Sequence, residues 1–216
     1  MRDLRALTPE RVGDLSGPCA PCSFWQTVPH NGHSQEPDPL ELLRDWVERV
    51  TREWGPPGRI LYIDDVPSGY SLLAPARYVP RLAAFPTAPS DGSTLMLLTA
   101  CAESADRHRG LRKTLLQAAA KDALRHKARA VAAIGARPLA ANRHPCVLGV
   151  DVLEAAGFRV EREHPLYPRL RLDLRTVLSV RDEAASLVAR ALARIPSARP
   201  AEAPHPDGAT RARTTD

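Results

Sequence analysis

Residues 94–102, Thr-Leu-Met-Leu-Leu-Thr-Ala-Cys-Ala, are apolar almost without interruption and show no alternation. A run of that length and character reads as a central strand covered on both faces, so helices must flank the sheet that contains it. The next forty residues reinforce the point. A helix of period 3.6 is expected over about 109–127, with Leu111, Leu115, Ala118, Ala119 and Ala123 on one stripe, and a second buried strand over 129–136. Strand, helix and strand in that order form a parallel crossover. The predicted class is therefore α/β, with a central mixed sheet between helices.

The rest of the chain fits around that unit. Leu40, Leu43, Trp46, Val47, Val50 and Trp54 recur at spacings of three and four and predict a helix that Gly55-Pro56-Pro57-Gly58 stops. Both tryptophans read as core on that stripe. Short apolar segments at 59–63 and 70–74 predict an antiparallel hairpin, with Asp64 and Asp65 supplying turn chemistry. A short helix over 150–156 closes at Gly157, and strands over 158–163 and 169–174 come after it. An amphipathic pattern covers 180–195. Residues 196–216 hold four prolines and no Leu, Ile, Val, Phe, Tyr or Trp, which predicts a disordered tail that the domain does not need. The expected organisation is an N-terminal extension over 1–37 with helix potential at 9–15, a domain over 38–176, a C-terminal helix over 177–195 and a tail over 196–216.

Composition narrows the functional classes. No apolar run approaches the roughly 20 residues that span a bilayer, so a cytoplasmic protein without membrane contact is expected. The net charge is +5, yet only three of thirty basic residues are lysines, a bias typical of GC-rich coding sequence. The basic pI is accordingly poor grounds for a nucleic-acid partner. More specific is the segment 107–129, which carries eight Lys or Arg against the single Asp122. An anionic ligand at that helix is one reading, and a solvated basic face is the plain alternative.

Four cysteines, Cys19, Cys22, Cys101 and Cys146, in a chain without a secretion signal read as reduced thiols or metal ligands. Cys19 and Cys22 form a C-x-x-C, and His144 with Cys146 would complete a Cys3His set. That spacing matches no zinc finger or ribbon, so thiols and no metal site are the expectation. Ser16, Ser23 and Ser90 lack the context of a nucleophile elbow.

The strand over 94–102 feeds Arg107-His108-Arg109-Gly110-Leu111-Arg112, which opens the basic helix. A helix N-terminus offers unpaired N–H groups to phosphate, and a glycine lets the backbone come close. In this stretch the chain resembles the GNAT acyltransferase superfamily, whose signature is [Arg/Gln]-x-x-Gly-x-[Gly/Ala] between its fourth strand and third helix. Arg107 and Gly110 match, whereas Arg112 stands where the signature has a small residue. Gly157-Phe158 and the order of elements over about 38–176 match as well.

The resemblance implies acetyl-CoA as co-substrate and an amine acceptor, either a small molecule or a protein. It implies that the amides from Arg109 through Gly110, Leu111, Arg112 and Lys113 cradle the pyrophosphate, with Arg107 and His108 beside it. It also implies that Cys101 and Ala102 pair with pantetheine and that residues 134–137 form the other lip. The tyrosine that serves many members as general acid corresponds to Leu153 here. Glu103, Cys101, His144, Cys146 and Tyr167 are the remaining proton-handling groups, of which Cys146 and Glu103 are the catalytic candidates. Arg112 and Leu153 also support a second reading, a non-catalytic regulatory or interaction module of the same fold that still binds CoA. The acceptor and the oligomeric state are not legible.

Overall fold

The computed structural model describes residues 1–16, 19–20, 22–28, 38–102, 110–141 and 143–174, all of which belong to the compact unit Met1–Leu178. The predicted helix over 180–195 and the tail lie outside the described residues. Seven strands form one sheet in the order β1-β2-β3-β4-β5-β7-β6. They are β1 Arg2–Ala6, β2 Gly58–Ile63, β3 Val66–Pro75, β4 Leu95–Ala102, β5 Ala130–Ile134, β6 Arg159–Arg162 and β7 Arg169–Asp173. Three helices complete it: α1 Pro39–Glu53, α2 Leu111–Arg125 and α3 Val150–Ala155. Neighbouring strands are antiparallel except β4 and β5, which are parallel across α2. The mixed sheet and its crossover are as expected.

Local chemistry explains most boundaries. Asp38 caps α1 by accepting from the Leu40 amide at 2.9 Å, and Pro39 occupies the first helical position. Asp64 and Asp65 both have positive φ, 50° and 63°, which makes the β2–β3 connection a two-residue turn whose twist matches the strands. At the end of α3, Gly157 takes φ 93° while its amide bonds Glu154 O and that of Phe158 bonds Leu153 O, closing the helix in a Schellman arrangement.

The sheet separates two cores. On one face α1 buries Leu43, Trp46, Val47 and Val50 against Ile60, Tyr62, Leu72, Met96 and Leu98. On the other, the α2 stripe Leu111, Leu115, Ala119 and Ala123 packs with Leu61, Leu73, Leu97 and the α3 residue Leu153. Each fully buried Leu or Val stabilises the fold by about 1.5–3 kcal/mol, so both faces contribute substantially. Trp46 is core as expected and donates Nε1–H to Tyr78 O at 2.6 Å. Trp54 lies just past α1, half-buried and stacked on His126 at 4.1 Å.

The N-terminal segment departs from the sequence reading. Its predicted helix is a 3-10 turn, Pro9–Asp14, and Arg2–Ala6 is a strand paired with β2 along its whole length. Arg2, Asp3 and Arg5 give that strand no apolar pattern, and pairing at the sheet edge supplies the missing specification. Tyr62 ties the next turn down by donating its hydroxyl to Asp14 Oδ2 at 2.5 Å. Burial, then the Asp14 bond and charge, push the Tyr62 pKa up to about 12. Because the folded-state value lies above the unfolded one of about 10, this contribution is complete below pH 10 and is lost as pH rises toward 12. Denaturant titrations at pH 8 to 12 should show that loss in the wild type, and Tyr62→Phe should reduce its slope.

Candidate functional site

One residue decides the geometry at the centre of the sheet. Leu72 pairs with Thr99 and Leu73 with Leu97, so Leu98 is an extra residue and β4 bulges there. The bulge reverses the facing of the residues after it. Leu98 and Cys101 point to the α1 side, while Leu97 and Ala100 point to the α2 side. Parallel pairing of β4 with β5 is registered at Met96 and Ala132, just ahead of the bulge. Past β5, Gly135 N–H and Arg137 N–H continue the β7 register to Pro168 O and Leu166 O, whereas on the edge toward β4 Ala136 N–H bonds Leu148 O, all at 2.8–2.9 Å. The two strands therefore fork toward their C-terminal ends.

The first turn of α2 lies beyond β4. Gly110 is its N-cap with φ 89° and ψ 0°, and Thr114 N–H to Gly110 O at 3.0 Å is the first bond of the helix. The amides of Leu111, Arg112 and Lys113 thus stand ahead of the intrahelical ladder, where the helix end carries partial positive charge. Among the described residues, a Cβ built on Gly110 meets no atom within 4 Å. Leu111 turns its side chain into the core at 1% exposure, so only its backbone faces outward, whereas Arg112 and Lys113 are exposed. Glu103, Arg107, His108 and Arg109 lie outside the described residues.

Of the other predicted site residues, Cys101 sits at the fork, 7% exposed and paired with Tyr70, and half-buried Ala102 pairs with Gly69. Ile134 is buried at the end of β5, and Arg137 bonds Glu163 Oε2 at 2.6 Å and His164 O at 3.2 Å. His144 packs on Phe24 with ring centroids 4.5 Å apart. Burial, then the charges of Arg81 and Arg143, lower its pKa. Tyr167 meets the edge of Phe85 at 5.2 Å. Leu153, which the resemblance sets against the tyrosine, is wholly buried. Leu153→Tyr should therefore overpack the core and cost about 1–3 kcal/mol, read as a lower Tm, and should not raise turnover.

Cys19, Cys22 and Cys146, which the sequence offers only as a zinc set of unmatched spacing, gather under the fork with Cys101, whose part in the group the sequence does not show. Cys22 Sγ lies 3.5 Å from Cys146 Sγ, and Cys19 hydrogen-bonds Cys101. Tyr70, from the neighbouring strand, donates its hydroxyl to Cys19 O at 2.7 Å. The Cys146 thiol, then the Phe24 amide and the Arg81 charge, favour a thiolate at Cys22 and bring its pKa down to about 6. Cys146 is pushed up by that same bond and by burial. Cys19 is raised by its bond to Cys101 and by burial. Among the described residues no group of three or more His, Cys, Asp or Glu is arranged to hold a metal ion, and no helix is long and apolar enough to cross a membrane.

No protein-family model matches the chain, and no curated protein matches it in sequence. Solved structures do. One is yncA from Salmonella typhimurium, described with acetyl-CoA as its cofactor, at TM-score 0.53 and 15% identity, with 81% of this chain and 94% of that one covered. The PaiA N-acetyltransferase from Thermoplasma acidophilum, in complex with coenzyme A, gives TM-score 0.50 and 14% identity over 80% and 99%. The loading GNATL domain of CurA from Lyngbya majuscula gives TM-score 0.51 and 14% identity over 82% and 99%. At such identities the likeness is one of fold. The architecture is the GNAT-like one, a central mixed sheet flanked by helices.

Proposed function

We propose that the protein is an acyltransferase that moves an acetyl group from acetyl-CoA to an amine. The observation that carries this reading is the fork of β4 and β5 after the Leu98 bulge, set beside a helix that opens at a left-handed glycine. Two features support the reading: among the described residues a Cβ at Gly110 meets nothing within 4 Å, and the amides of Leu111, Arg112 and Lys113, which would bond a pyrophosphate, precede the helical ladder. In sequence, Arg107, Arg109, Arg112 and Lys113 carry charge of the right sign, and His108 would add a hydrogen-bonding group. Pantetheine would lie along β4 at Cys101 and Ala102. Bound there, acetyl-CoA supplies a thioester, an acyl group already activated toward amines. Backbone N–H groups at the fork polarise a carbonyl without any ionisable side chain.

The chemistry also needs a neutral amine and a proton for the departing thiolate. Cys146, in the loop just before α3, is one candidate for that proton, and Glu103 is the second. Calorimetry with acetyl-CoA tests binding, and release of free CoA thiol over a panel of amines tests transfer. Binding in the low micromolar range with amine-dependent thiol release is the expected result. Absence of binding would overturn the reading.

A second reading has a specific observation behind it. Leu153 fills the core where many acetyltransferases of this fold place an acid, which suits a regulatory or interaction module that binds CoA without turnover. Binding with no thiol release from any acceptor, including protein N-termini and lysines, would favour it.

A further inference from the structure

The sulfur atoms of Cys22 and Cys146 are 124 residues apart in sequence and 3.5 Å apart in space. Nothing in acyl transfer requires Cys22. The contact does not depend on sulfur alone, because the two backbones are already held together. Trp25 donates Nε1–H to Cys146 O at 3.4 Å. Arg81 donates to Phe24 O at 2.9 Å and to Thr27 Oγ1 at 2.8 Å, and its guanidinium lies 4.6 Å over the Phe24 ring. Phe24 in turn packs on His144, two residues before Cys146.

The two thiols are unequal in ways that define roles. Cys22 is partly exposed and Cys146 is 4% exposed, so an oxidant in solution reaches Cys22 first. Cys22 is also the sulfur that carries charge most readily, and the thiolate is the reactive form. Cys19, the other half of the C-x-x-C, is 3% exposed and engaged with Cys101, which removes it as the nearer partner.

We propose that Cys22 and Cys146 are a redox-active dithiol that a hydroperoxide converts into an intramolecular disulfide, tying the N-terminal segment to the loop that leads into α3. Cys22 attacks the peroxide, the O–O bond breaks, and Cys22 becomes a sulfenic acid as the first water leaves. Cys146 then attacks the Cys22 sulfur, forms the S–S bond and gives up its proton to the departing hydroxide, the second water. Two thiols and one hydrogen peroxide yield one disulfide and two waters, with two electrons passing from sulfur to peroxide. A small dithiol reverses the step by exchange.

The test uses the full chain and hydrogen peroxide, followed by alkylation, proteolysis and mass spectrometry. The expected product has one cross-link, Cys22 to Cys146, with Cys19 and Cys101 still alkylated. Closing so long a loop should raise Tm by roughly 5–15 °C, and dithiothreitol should restore the starting value. Cys22→Ser and Cys146→Ser should each lose the cross-link and the Tm rise, whereas Cys19→Ser should keep both. The wild-type peptide map stands even where a variant folds poorly. Overturning results would be a cross-link joining Cys19 to Cys22 or to Cys101, or oxidation that stops at a Cys22 sulfinic acid. Zinc in the purified protein, with thiols blocked until chelator is added, would assign the cluster to a metal instead. None of these outcomes depends on whether the protein transfers acyl groups.

Discussion

Gly110→Val is expected to weaken acetyl-CoA binding by about 100-fold or more while the domain stays folded. Gly110 holds φ 89°, a left-handed value that a β-branched residue adopts only at a cost of about 1–2 kcal/mol. The substituted backbone relieves that strain by rotating, and rotation re-aims the amides of Leu111 and Arg112 that the ligand phosphates would meet. Losing two charge-assisted hydrogen bonds of roughly 1.5–3 kcal/mol each gives the stated factor. The fold tolerates the change because a Cβ at this position meets no described atom within 4 Å. A Tm lowered by roughly 2–8 °C should accompany the loss. Calorimetry with acetyl-CoA and a thermal melt on the same preparation decide the matter. Undiminished affinity in a folded variant would show that the phosphates bind elsewhere.

The second large effect is on stability, and it comes from the gentlest of substitutions. Gly58→Ala places a Cβ far inside contact distance of Ser71 O and 3.2 Å from Leu72 Cα, both backbone atoms of β3. Neither strand can yield cheaply. Gly58 O accepts from Leu7 N–H at 3.0 Å and Pro57 O from Leu73 N–H at 2.8 Å, while β3 is held on its far side by β4. A cost of about 3 kcal/mol or more is expected, as for other backbone clashes in a packed sheet, measurable as a drop in Tm of roughly 6–12 °C. Gly13→Ala is the control, since its Cβ meets nothing within 4 Å and its φ is not positive. That change should stay within about 0.5 kcal/mol of wild type. Equal stability of the two variants would mean that β2 and β3 are paired in another register.

Legibility varies with how local the governing physics is. The α2 stripe is readable because five apolar residues at helical spacing need only one face to pack against. The Gly157 cap and the Asp64-Asp65 turn are readable because positive φ restricts which residues serve. In contrast, β1 is invisible, its charges carrying no period and its pairing lying nearly sixty residues away in β2. The expected closing strand pair is present, but β7 lies between β5 and β6, an order that depends on which edge of β5 is free to accept it.

By itself, the sequence determined the class of fold, the central strand and the glycine at the opening of α2, because hydrophobic period and backbone sterics act over a few neighbouring residues. Tertiary structure alone decided the rest of the site. A run apolar on both faces has no alternation to mark where a residue is added, so the Leu98 bulge and the fork it opens depend on β3 and β5 for their position. In the same way, four cysteines spread over 128 positions do not show which of them pair. Only the packing of the N-terminal segment against Tyr70, Arg81 and the loop before α3 brings Cys22 to Cys146 and Cys19 to Cys101.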